Sequence, residues 1–174
     1  MACGLKSATK LSTGKFRSLR FPVYLCHYRL IAQRMDVPVN YVSVFAAAIA
    51  AMGLGFLWYG PIFGKKWKYL MGLTDESMKQ TTLTPGQAMA GGFVMTLIMA
   101  YVLAHALIFA STYLRASGIS AGLMAGFWNW LGFVVPVTAG TYLWEGKPLK
   151  LWGLNASYHL ASLLIMGGIL ALWP

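Results

Sequence analysis

Acidic residues are the scarcest chemistry in this chain: four Asp and Glu in 174 residues, against 14 Lys and Arg. None of the four (Asp36, Asp75, Glu76, Glu145) lies inside a long apolar run, and neither does any Lys or Arg. A proton-coupled transporter normally works through an intramembrane carboxylate, and a dedicated cation path also needs acids, so both classes are disfavoured. Cysteine is rarer still. Cys3 and Cys26 both fall in the first 34 residues, which excludes a thiolate metal site or a structural disulfide in the rest of the chain. Paired carboxylates, a nucleophile beside a base, a phosphate loop and a zinc motif are all missing. The sequence therefore points to no enzyme and implies no cofactor.

What is present is apolar length. The stretches Val39–Tyr59, Gln87–Ala110, Ile119–Trp144 and Leu151–Trp173 are almost free of charge. Each has the roughly 20 residues needed to cross a bilayer core of about 30 Å. Overall 58% of the chain is apolar and only 10% charged, too little charge to coat a soluble domain of this size. The expected fold is all-α: a polytopic membrane protein with four transmembrane helices in a small bundle, and a short interfacial helix after the first span.

Residues 1–34 differ from the rest. They are basic, rich in Ser and Thr, and free of acid. Either the start is mis-assigned, with Met35 the natural beginning, or the segment is a leader with the composition of a transit peptide. The domain reading is thus 1–34, a basic extension, and 35–174, the four-helix transmembrane domain. The basic excess does not suggest nucleic acid, because it sits in the extension and in loops beside the spans. Lys65, Lys66, Lys68 and Lys79 follow the first span and Lys147 and Lys150 follow the third, against Arg115 on the other side. For a chain starting at Met35 this places the lysine loops in the cytoplasm and both termini outside, in the cell's inner membrane. Counting the extension reverses the bias, and a transit peptide would send the protein to an organelle inner membrane instead.

Small residues recur every four positions: Ala47, Ala51 and Gly55; Ala88, Gly92, Thr96, Ala100 and Ala104; Gly118, Gly122 and Gly126. Such rows lie on one helix face and let helices approach closely in lipid, within a protomer or in a homo-oligomer. Gly60-Pro61 reads as the end of the first helix, Thr84 as a cap followed by Pro85, and Pro136 as a kink that frees the Gly132 carbonyl. Phe63, Trp67, Leu70 and Met71 share a face of the short helix, with Lys65, Lys66 and Lys68 turned towards lipid phosphates. Thr74, Asp75 and Glu76 read as the capped start of another surface helix. Trp58, Tyr59, Trp144, Trp152 and Trp173 near the helix ends suggest an aromatic belt.

Few polar residues lie within the spans. Asn155 and His159 are four apart and share a face with Tyr158 beside them, near Glu145 on the loop. This cluster is the candidate site, as interhelical hydrogen bonding or as a binding or headgroup-recognition site. His105 lies near the other end of its helix, about 15 Å or more away in depth, so no metal site joins the two histidines.

The run Leu54-Gly55-Phe56-Leu57-Trp58-Tyr59-Gly60-Pro61-Ile62-Phe63-Gly64-Lys65-Lys66-Trp67 is distinctive. Gly132-Phe133-Val134-Val135-Pro136, Trp144-Glu145-Gly146-Lys147-Pro148 and Leu154-Asn155-Ala156-Ser157-Tyr158-His159 follow it in order. Together they resemble a family of small, mostly bacterial four-helix integral membrane proteins catalogued as domain of unknown function 1761. The resemblance covers Val39 to Trp173 and implies the fold and a membrane location. It implies no activity, catalytic residue or cofactor. The first functional expectation is a structural or assembly-type membrane bundle that self-associates. The second is an oligomeric small-solute transporter or channel. They differ in whether the Asn155–His159 face and the Pro136 kink are dry or line a hydrated cavity.

Overall fold

The computed structural model describes residues 38–74 and 82–173. The basic extension, both cysteines and the surface helix expected from Asp75 lie outside the described residues. Within them every regular element is helical. In chain order these are α1 (Tyr41–Leu57), α2 (Gly64–Met71), α3 (Pro85–Leu114), α4 (Gly118–Asn129), α5 (Val135–Leu143) and α6 (Leu149–Leu172). Four spans are long and apolar enough to cross a membrane: Tyr41–Ile62, Pro85–Tyr113, Gly118–Leu143 and Leu149–Leu172. The domain is a multi-pass membrane bundle of the expected class.

The helix starts follow from local chemistry. Asn40 caps α1, its Oδ1 accepting from the Val42 and Ser43 amides at 3.0 and 3.3 Å. Thr84 caps α3 as expected, and Gln87 completes a capping box by accepting from the Thr84 amide at 3.0 Å.

Gly60-Pro61 falls where the first span ends, at Ile62, as expected, but not as an abrupt stop. α1 widens instead into a π-turn, Trp58–Ile62, in which the Phe63 amide donates to the Trp58 carbonyl at 2.9 Å. Proline has no N–H to give and its ring crowds the carbonyl four residues back; a wider last turn relieves both problems before the chain leaves the span at Phe63. The third span behaves alike. α4 passes through a second π-turn, Trp130–Val134, into α5, whose first turn holds Pro136. The interruption expected at Gly132–Pro136 is this widened turn.

Connections of residues 115–117 and 144–148 are too short to join anything but antiparallel neighbours. The lysine-bearing end therefore gathers the end of α1, α2, the start of α3, the end of α5 and the start of α6. The opposite end holds most of the buried core. It comprises Val44, Ala47, Ala48 and Ala51 of α1, Ala100, Leu103, Ala104 and Leu107 of α3, Ala121 and Ala125 of α4, and Leu163, Met166 and Leu170 of α6.

α6 is the most buried span, and its broadest interface is with α4. There Gly122 and Gly167 bring their backbones together: a Cβ on either would run into the other's carbonyl. A Cβ on Gly126 would lie 2.6 Å from the Leu163 carbonyl oxygen. Lipid offers no hydrophobic drive for helix association, so this close approach supplies the packing. The small-residue rows are used only in part. Thr96, Ala100 and Ala104 are buried, but Ala88 and Gly92 of the same row are exposed. Gly118 is outside the seam, at the left-handed first position of α4 (φ 71°).

Candidate functional site

At the lysine-bearing end the helices part. An open cavity of about 940 Å³ is lined by Tyr59, Trp67, Pro85, Ala88, Met89, Thr138, Thr141, Trp152, Asn155 and His159. Every span and α2 contribute to it. The row on α3 reaches this groove at Ala88, and both Ala88 and Gly92 stay exposed where no described helix packs on them.

Asn155 stands on α6, and its Oδ1 accepts from the Tyr59 hydroxyl at 3.0 Å, tying the first π-turn to α6. The Asn155 amide NH₂ has no partner among the described residues. Tyr59 packs edge-on against Trp67 and Tyr158, with ring centroids 5.5 and 4.9 Å apart. Gly55 makes room for Tyr158, whose hydroxyl would lie 3.0 Å from a Cβ at that position. His159 sits one turn deeper, its ring 5.1 Å from that of Tyr158. Its Nδ1 is buried without a partner, leaving Nε2 as the nitrogen open to the groove. On the facing wall Thr138 donates to the Val134 carbonyl at 2.6 Å and accepts from Trp152 Nε1 at 3.1 Å. Thr141 donates to the Thr138 carbonyl at 2.8 Å, which leaves its oxygen lone pairs free.

The structure thus brings Asn155, Tyr158 and His159 together, as their spacing required, and adds Tyr59. Glu145 does not join them: it stands exposed on the α5–α6 connection, with no hydrogen bond or ion pair to the cluster. Pro136 is also exposed and outside the groove wall. His105 is far from the site and donates Nδ1–H to the Tyr101 carbonyl at 2.9 Å. The aromatic belt holds for Trp144 and Trp173, 86% and 51% exposed. It fails for three others. Trp58 packs at a tilt against Phe63, ring centroids 4.8 Å apart, while Tyr59 and Trp152 turn inward as groove wall. Thr141 and Trp152 were not expected in the site. The spacing of Thr138 and Thr141, three apart on one face, was the available signal.

The distinctive Trp-Tyr-Gly-Pro run has a physical reading here. Trp58, Tyr59, Gly60 and Pro61 form the π-turn, and Gly64 is required beside it, because a Cβ there would lie 2.5 Å from the Tyr59 carbonyl oxygen. Lys65 and Lys66 are exposed on the next turn, while Trp67 faces the groove. No curated protein and no solved structure matches the chain. A family model does, over residues 42–171, from the first turn of α1 to the end of α6, and the chain belongs to the family that it describes, Protein of unknown function (DUF1761).

Proposed function

We propose that this is a membrane-embedded binding protein whose groove takes up a small polar or amphipathic molecule from the lysine-bearing side, as one site of a solute-handling oligomer. The cavity that Asn155 and His159 help to line carries this reading. A cluster serving only to fix the bundle would close on itself, whereas the Asn155 NH₂ is unspent in an open space. The proposed role is binding without chemistry. The lysine loops are assigned to the cytoplasm of a cell inner membrane, or to the matching side of an organelle membrane if residues 1–34 act as a transit peptide.

A second reading, the assembly-type bundle, draws on Ala88 and Gly92. These small residues stay exposed on α3, open to the close approach of a helix from a second copy. One experiment separates the two. With Cys3 and Cys26 replaced by Ser, Thr138→Cys is exposed to a membrane-impermeant thiol reagent from each side. Labelling from the lysine side alone is expected. Protection from both sides that persists after lipid removal would favour the assembly reading.

A further inference from the structure

We infer that the groove holds the headgroup end of one anionic phospholipid, drawn from the leaflet on the lysine-bearing side. The inference rests on the reading of the groove as a binding site and names its occupant. The wall's deepest unspent polar groups, on Asn155 and His159, each offer an N–H. Asn155 Nδ2 is free because Oδ1 is already engaged by Tyr59, and His159 Nε2 faces the same space. Phosphodiester and ester oxygens are acceptors only, so they match the free amide of Asn155. No lining residue carries a charge. The described cations at this end are Lys65, Lys66 and Lys68 on the helix that supplies Trp67, Lys147 on the connection before α6, and Lys150 in the first turn of α6. Among the described residues Glu145 is the single acid there. That imbalance favours an anion.

Apolar and aromatic walls exclude a bare anion as the natural guest. Pro85, Ala88 and Met89 form one side, and Trp67 and Trp152 stand on others. Asn155 and His159 lie six and ten residues into α6, about 9 and 15 Å along it. A group reaching them must therefore pass an apolar rim. An amphiphile does so at little cost, since its own apolar part remains against that rim. The side towards α3 is open: Met89 is 45% exposed, and no described residue of the bundle covers it. A lipid can enter there sideways without leaving the bilayer.

The test is native mass spectrometry of the purified full chain with phosphatidylglycerol and phosphatidylcholine of identical acyl chains. One phosphatidylglycerol per protomer is expected to be retained preferentially. Neutralising Lys65, Lys66 and Lys68 to Gln should lower its retention on the order of tenfold or more. Met89→Trp fills the groove from an exposed turn with little risk to folding, and should abolish the preference. Asn155→Leu should weaken it. Equal retention of the two lipids would overturn the inference, as would a preference untouched by Met89→Trp. Displacement of the bound lipid by millimolar inorganic phosphate or glycerol phosphate would assign the site to a soluble anion instead. If Thr138→Cys labels but no lipid preference appears, the groove reading stands and the lipid occupant falls. If Thr138→Cys is protected in lipid and also after lipid removal, the groove reading itself fails.

Discussion

Gly122 and Gly167 touch through their backbones because neither has a side chain, and this contact anchors α4 to α6. Gly168, the next residue on α6, has open space where a methyl group would go, with nothing within 4 Å, and gives a matched control. Gly167→Ala is expected to lower stability by about 1–3 kcal/mol, the cost of overpacking a close contact. Gly168→Ala should leave stability unchanged or slightly raised, because alanine favours helix. Thermal unfolding in detergent compares them, and equal melting temperatures would remove the seam from the explanation. Tyr59→Phe deletes the hydrogen bond to Asn155 and keeps the ring against Trp67 and Tyr158. Its expected cost is about 0.6 kcal/mol, at most about 1.7. Gly122 and Gly126 could be read from their spacing. Gly167 could not: the matching row on α6 is short, and only the partner helix shows which of Gly167 and Gly168 faces it.

At the scale of elements, the two π-turns decide where the groove walls point. A one-residue change of register turns a helix face by about 100°, enough to carry a side chain from cavity to lipid. Pro136→Ala restores an amide hydrogen next to the second turn and lets a regular α-helix compete with it. The third span should then rewind and swing Thr138 away, so thiol reactivity at Thr138→Cys should fall in the Pro136→Ala background. Unchanged reactivity would mean that Trp130 holds the turn, through its Nε1 bond to the Ala156 carbonyl at 2.8 Å. The prolines were plain in the sequence, but their effect was not. A helix stop and a widened turn answer the same missing N–H, and contacts from residues far along the chain choose between them. The caps at Asn40 and Thr84 are local, so Thr84 was legible without the fold.

At the scale of the molecule, the described helical bundle is closed at one end and open at the other. Small residues pack the end remote from the lysines, while the helices part around Asn155 and His159 at the lysine end. The four spans were legible because a bilayer demands length and apolarity together, and both are properties of composition. The asymmetry was not, since the α3 row from Ala88 to Ala104 reads as uniform packing. Trp152 and Tyr59 likewise resemble belt residues until α5 and α6 are set opposite each other. The most direct test is a profile along α6 itself. Nitroxide labels at Asn155, Ser162 and Met166 would be measured one at a time, in lipid, for collision with a water-soluble nickel chelate. Access at Asn155 and none at Ser162 or Met166 is expected, with the break just beyond His159. Protection at all three, kept after lipid removal, would mean a dry bundle with no groove, and access at all three would mean a passage through the end that the small-residue core closes.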